Sequence, residues 1–253
     1  MDVGRLDVDR RSSLLADWRM MELTSGPSGW PRLEGVCDLG GGAMHLQAVF
    51  LDRDGTLGGD GHFCHPKDFV PYPWTAPAIE VLRILRVKIF GLTNQPRISA
   101  GEAAEQDFAE EFARLGCDGA YVCPHALDAD CACRKPRPGL LVRAAQVHDL
   151  DLTRCAVIGD VGATDMLAAS QVGALKILVK TGWGVGSLTD YRHCWVDVRP
   201  DYVAQDVLDA AHWLRRAGAT APAPRVRPGP SGALRAIEGD GGPGPVGERI
   251  CGS

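Results

Sequence analysis

Asp52 and Asp54 stand one residue apart at the end of the apolar run Val49-Phe50-Leu51, within Asp52-Arg53-Asp54-Gly55-Thr56. An apolar run of this kind describes a buried strand, and the turn at its carboxyl end receives both carboxylates. Open α/β sheets bind their ligands at such turns. Alternation along the strand is expected to separate Asp52 and Asp54 from Arg53, and Gly55 lets the backbone leave sharply. Unpaired buried carboxylates are costly, so a purely structural purpose for both is hard to find. A calcium loop would need acidic or amide groups at alternate positions and Gly sixth, whereas Gly55 is fourth and Leu57 follows Thr56. Phosphoryl chemistry fits the pattern better.

Three further polar groups follow apolar runs downstream: Thr93 and Asn94, then Arg134 and Lys135 after an intervening loop, then Asp160. Parallel strands bring their carboxyl ends to one edge, so these groups are expected to converge. Phosphoryl transfer calls for a nucleophile, an acid or base, a cation facing the equatorial oxygens and usually Mg²⁺. Each part has a candidate. Separately, Cys123, His125, Cys131 and Cys133 place three thiols and an imidazole inside eleven residues, a closed tetrahedral set for structural Zn²⁺. Cys133 directly precedes Arg134 and Lys135, so a metal there would staple the loop that presents them.

The elements that must position these groups alternate along the chain. Strands are expected at 88–93, 119–122, 156–160 and 175–179, with a short edge strand near 200–203. A helix capped by Thr75 carries Ile79, Leu82 and Leu85 on one face. Ser99 and Glu102 have capping-box spacing for a helix with Phe108, Phe112 and Leu115. Pro138 opens another helix, a further one is expected around 165–170, and Asp206 caps a last helix through Leu214. Such alternation means a doubly wound, mostly parallel α/β sheet covered on both faces. The long loop 57–73, rich in Gly and Pro, is expected to shape a pocket.

The 253 residues, 45% hydrophobic, allow one substantial core with tails. Residues 1–45 read as an irregular arm, 46–216 as the domain, and 217–253, rich in Ala, Pro, Gly and Arg, as a disordered tail. Met44, just ahead of the first strand, is a second candidate start of translation. A net charge of −5 gives no electrostatic footprint for nucleic acid or an anionic membrane. No apolar run has transmembrane length and the amino terminus lacks a signal peptide's hydrophobic segment, so a cytoplasmic monomer acting on small soluble molecules is expected. Gly182-Trp183-Gly184-Val185-Gly186 lacks the dinucleotide spacing and reads as a turn.

The ordered set Asp-x-Asp-Gly-Thr, Thr93-Asn94-Gln95, Arg134-Lys135-Pro136 and Gly159-Asp160-x-x-x-x-Asp165 resembles the haloacid dehalogenase (HAD) superfamily. The insert Cys-Pro-His…Cys-x-Cys-Arg-Lys-Pro is similar to that of its subfamily IIIA, which contains histidinol-phosphate phosphatases and D-glycero-D-manno-heptose 1,7-bisphosphate phosphatases. The resemblance spans about Gln47 to Leu214 and implies a HAD-like Rossmannoid without a large cap domain. It implies that Asp52 is the nucleophile and Asp54 the acid and base. Thr93 would hold phosphoryl oxygens, Lys135 would neutralise charge, and Mg²⁺ would be bound by Asp52, the Asp54 carbonyl and Asp160. Asn94 and Arg134 are implied substrate contacts, and Asp165 would orient Lys135 or the metal shell. Zinc on the cysteine and histidine set would be structural.

Pro96-Arg97 departs from the family, which usually has a small residue and Gly there. The five-residue zinc loop is closer to the histidinol-phosphate branch, while Gly61-His62-Phe63-x-His65 favours the heptose branch. A sugar phosphate, such as the heptose bisphosphate, is the expected substrate, with histidinol phosphate as the alternative. A nucleic-acid 3′-phosphatase is disfavoured by the acidic balance. A non-catalytic zinc-stapled binding protein would be expected to have lost a catalytic position, and all are present.

Overall fold

The structure, a computed structural model, describes residues 45–219. The Met44 start and nearly all of the expected arm and tail lie outside that range. Apolar runs form six strands: β1 (Ala48–Leu51), β2 (Lys88–Asn94), β3 (Gly119–Cys123), β4 (Cys155–Gly159), β5 (Leu175–Val179) and β6 (Tyr202–Ala204). They pair in the order β3-β2-β1-β4-β5-β6, every pair parallel. β1 and β4 are buried throughout, as strands covered on both faces must be.

Among the described residues six α-helices do the covering: α1 (Thr75–Ile84), α2 (Glu105–Leu115), α3 (Gly139–His148), α4 (Leu167–Gln171), α5 (Gly184–Leu188) and α6 (Val207–Arg216). Val49 and Leu51 join Ile79 and Leu82 of α1, Phe112 of α2 and Leu214 of α6 in one core. Ala48 and Phe50 point the opposite way, to Leu140, Leu141 and Ala144 of α3 and Ala168 and Ala169 of α4. The two-residue period of β1 therefore separates two apolar layers. No helix among the described residues is long and apolar enough to cross a membrane.

Register fixes the site. Leu51 lies opposite Ile158 of β4 and Gly91 of β2, and the Asp52 amide donates to the Ile158 carbonyl at 2.9 Å. Asp52 thus leaves the sheet beside Gly159 and Asp160, between the strands where the chain order reverses. Asn94 is level with Cys123, which brings the first zinc-type ligand next to the end of β2.

Three local expectations are corrected. Thr75 is the first helical residue of α1 and not its cap; its hydroxyl donates to the Leu57 carbonyl at 2.7 Å, tying the long loop to the helix. The Ser99 and Glu102 pair does not open a helix. Glu102 instead accepts from Arg97 at 3.0 Å, Ser99 donates to the Pro96 carbonyl, and α2 starts six residues later with the Asp107 carboxylate accepting from the Ala104 amide. Finally, β1 stops at Leu51, so strand alternation does not govern Arg53, whose side chain turns back to Asp54. The Asp206 cap is found as expected, accepting from Leu208 and Asp209 amides.

Candidate active site

Asp52, Lys135, Asp160 and Asp165 meet at the carboxyl edge of the sheet. The Lys135 ammonium donates to Asp52 Oδ1 at 2.7 Å, Asp165 Oδ1 at 2.6 Å and the Leu92 carbonyl at 2.8 Å, so all three of its donors are engaged. Burial alone would lower the Lys135 pKa, but the Asp165 and Asp52 carboxylates outweigh it and the ammonium is held firmly charged. The second oxygen of Asp165 accepts from the Val161 amide at 3.1 Å. Gly159 is needed beneath it, because a Cβ there would lie 2.3 Å from the Asp165 carboxyl carbon.

Asp160 is buried completely. Its Oδ2 accepts from the Trp183 amide at 2.7 Å, while its Oδ1 has no hydrogen-bond partner. Gly55 and Gly182, both at positive φ, close over it; a Cβ on either would come within 2.1 Å and 2.2 Å of Oδ2. Burial, and then the Asp52 and Asp165 charges, push Asp160 up to about 8. Oxygens from Asp52, Asp160 and Asp165 lie within 4.8 Å of one another. An orphaned buried carboxylate oxygen beside other carboxylates suits a hard divalent cation with oxygen ligands, which fits Mg²⁺.

Asp54 is held from both sides. Arg53 Nη1 donates to Oδ1 at 2.5 Å, and Gln95 Nε2 donates to Oδ2 at 2.7 Å and to Thr93 Oγ1 at 2.9 Å. Burial raises the Asp54 pKa, Arg53 opposes it and Asp52 adds to it, leaving the group at about 6. A carboxyl poised there can exchange a proton near neutral pH. With Asp52, Thr93, Lys135 and Asp160 it lines a cavity of about 220 Å³ whose lining also includes Gly61, Phe63, Asn94, Pro96 and Thr164. That is smaller than the ~300–1,000 Å³ typical of drug-sized ligand sites, and suits a phosphoryl group with a few atoms attached.

Asn94 lines the same cavity and, with Arg134, also holds the loop that presents Lys135. The Asn94 amide donates to the Lys135 carbonyl and accepts from the Lys135 amide, both at 3.0 Å, so it clamps that residue's backbone. The Arg134 guanidinium donates to the His125 and Ala126 carbonyls, holding the preceding loop.

That loop gathers Cys123, His125, Cys131 and Cys133. Cys123 Sγ lies 3.6 Å from Cys131 Sγ and 3.3 Å from Cys133 Sγ, and His125 Nδ1 lies 3.1 Å from Cys133 Sγ. Zn–S bonds of about 2.3 Å in a tetrahedron put sulfurs roughly 3.8 Å apart, close to these separations. Burial pushes the Cys133 thiol up to about 12, with the neighbouring thiols adding to it, while for Cys131 burial is outweighed by hydrogen bonds from the Arg134 backbone and the other two thiols, which bring it down to about 6. Thiolates this close call for a cation among them.

Sequence reasoning missed Arg53, Gln95 and Glu111 as parts of the site, and took the segment around Trp183 for a plain turn. Gln95 was visible only as the last letter of Thr-Asn-Gln. Glu111 carries no local signal: it is an acid on an amphipathic helix, and only the fold brings it to Arg53.

A HAD-hydrolase-like family model matches residues 132–210. The D-glycero-β-D-manno-heptose-1,7-bisphosphate 7-phosphatase of Vibrio cholerae is 32% identical over 191 residues, covering 68% of this chain and 98% of the relative. The corresponding 7-phosphatase of Thermosynechococcus vestitus is 34% identical over 193 residues, covering 68% of this chain and 96% of the relative. The crystal structure of D,D-heptose 1,7-bisphosphate phosphatase from B. bronchiseptica, complexed with magnesium and phosphate, superposes with a TM-score of 0.58 at 28% identity, covering 68% of this chain and 99% of that one. This chain belongs to the HAD-like hydrolases, in the family of the heptose-1,7-bisphosphate phosphatases, and is a phosphoric monoester hydrolase.

Proposed function

We propose that the chain removes one phosphate from a sugar phosphate, D-glycero-D-manno-heptose 1,7-bisphosphate, through a phosphorylated Asp52. What carries this reading is the pairing of Asp52, locked by Lys135, with the separately held Asp54 across one small cavity. An Asp52 oxygen attacks phosphorus, forming the acyl-phosphate bond as the ester P–O bond breaks, and Asp54 gives its proton to the departing sugar oxygen. A water then attacks phosphorus and passes its proton to Asp54. The bond to Asp52 breaks and inorganic phosphate leaves. Thr93 lies against the same cavity, where it can contact phosphoryl oxygens, and Lys135 offsets their charge.

Asp52, Asp160 and the Asp54 carbonyl would hold Mg²⁺, which when bound supplies charge neutralisation at the transferring group. Asp165 positions Lys135. Zinc on Cys123, His125, Cys131 and Cys133 would be structural, fixing the loop that ends in Lys135. Residues 46–216 hold every group named, so a single chain suffices as the working unit, acting on a soluble small molecule.

Phosphate release should be compared for the heptose bisphosphate, histidinol phosphate and short 3′-phosphorylated oligonucleotides, each with Mg²⁺. Preference for the bisphosphate, abolished by Asp52→Asn, is the expected result. Preference for either other substrate replaces the substrate assignment, and an active Asp52→Asn variant overturns the nucleophile.

A further inference from the structure

Arg53 is fully buried, yet nothing in the reaction above uses it. Its Nε and Nη2 donate to the two Glu111 oxygens at 2.7 Å and 2.8 Å, a bidentate pair in which the Glu111 side chain is only 4% exposed. Its guanidinium carbon lies 4.0 Å from the Phe69 ring centroid and 5.1 Å from that of Phe108, so two aromatic faces fix the plane. The remaining nitrogen, Nη1, reaches Asp54 Oδ1.

Stability does not account for this arrangement. A buried ion pair is often no better than well-packed apolar residues of the same volume, because desolvation cancels much of the attraction. Orientation accounts for it better. A carboxyl that must deliver a proton to one oxygen has to be kept from rotating, and Arg53 and Gln95 each take one of its oxygens from a different direction. The Glu111 carboxylate offsets the guanidinium charge, so Asp54 receives an orienting hydrogen bond without acquiring an undivided counter-ion.

We infer that Arg53, set by Glu111 and the two rings, is a positioning residue that aims Asp54 at the leaving-group oxygen. The inference rests on the reading of Asp54 as proton donor, and the test separates the two. The ratio kcat/KM covers steps through loss of the leaving group and is blind to hydrolysis of the phosphorylated Asp52. A sugar phosphate needs its alkoxide protonated, whereas p-nitrophenolate leaves without help. Both substrates are measured with Mg²⁺ on the full chain, for wild type, Asp54→Asn and Arg53→Met/Glu111→Leu, the last replacing the pair by apolar residues of similar size.

The expected result is a kcat/KM for the sugar phosphate about 100-fold lower in the double variant, within the ~10²–10⁴ that acid catalysis supplies, with p-nitrophenyl phosphate changed less than about threefold. Asp54→Asn should show the same split. Equal losses on both substrates, or none, in a double variant that melts like wild type would overturn the positioning role. Absence of the split in Asp54→Asn would instead overturn the proton-donor reading. If the double variant does not fold, the isosteric Glu111→Gln carries the same comparison with the same two outcomes.

Discussion

Lys135→Met is the most informative single change. The ammonium's side chain is 3% exposed and its three donors go to Asp52, Asp165 and the Leu92 carbonyl. Met fills most of the stem's volume but leaves the Asp165 carboxylate, 1% exposed, with the Val161 amide alone. Removing one partner of a buried ion pair costs about 3–5 kcal/mol, because the other charge stays desolvated. At roughly 2–4 °C per kcal/mol for a domain of this size, the melting temperature should fall by about 6–20 °C in the absence of added magnesium. The companion variant Lys135→Met/Asp165→Asn removes the Lys135 and Asp165 charges while keeping the acceptor for Val161; Asp52 still lacks its cation, so the double variant should recover part of that loss and not all of it. Activity should be absent from both, since the cation facing the phosphoryl oxygens is gone in each. The measurement is a thermal melt of wild type, both singles and the double, read as a thermodynamic cycle, with phosphate release assayed in parallel. Additive melting shifts would show that Lys135 and Asp165 are solvated independently, and would refute the locked arrangement.

Two further outcomes are expected. Elemental analysis should find about one zinc per chain, and Cys131→Ser/Cys133→Ser should lose it together with thermal stability; unchanged zinc content in that variant would exclude the four-ligand site. Gly55→Ala should weaken Mg²⁺ dependence, because its Cβ would fall 2.1 Å from Asp160 Oδ2 at a backbone φ of +90°. A magnesium titration of phosphate release should shift to at least about tenfold higher concentration, corresponding to ~1.4 kcal/mol, and an unshifted titration would show that Asp160 does not set metal affinity.

The chemistry was legible in the sequence wherever a residue's position depends on strand direction alone. Asp52, Thr93 and Asp160 follow strands that run parallel, so their meeting at one edge needs no knowledge of side-chain packing. The zinc-type set was legible for another reason: its members lie so near in sequence that a short loop must bring them together. Arg53 was not legible. Strand alternation ends with β1 at Leu51, two residues before Arg53, and the partner that turns Arg53 inward, Glu111, lies 58 residues away on a helix whose acids are otherwise solvent-facing. Ser99 and Glu102 show the opposite failure, a local signal that is present but outcompeted. Arg97 takes Glu102, and the helix waits for Asp107 to satisfy its first amides.

Asn94 and Arg134 carry a structural task that their place in a catalytic motif does not reveal, although Asn94 also lines the cavity. The loop from Cys123 to Lys135 carries backbone groups with no strand or helix to satisfy them, and buried carbonyls and amides must find partners. Arg134 supplies donors to the carbonyls of His125 and Ala126, and Asn94 supplies both a donor and an acceptor to Lys135. Lys135 is therefore fixed from three directions: by the end of β2 through Asn94, by Arg134 and the ligand loop beside it, and by Asp165 from beyond β4. If catalysis depends on that fixing, zinc loss should lower kcat through Lys135 while leaving Asp52 and Asp160, which rest on β1 and β4, where they are. A zinc-depleted chain that still folds should then bind Mg²⁺ with near-normal affinity and yet hydrolyse phosphate slowly. Parallel loss of both properties would mean that the loop supports the sheet edge as a whole.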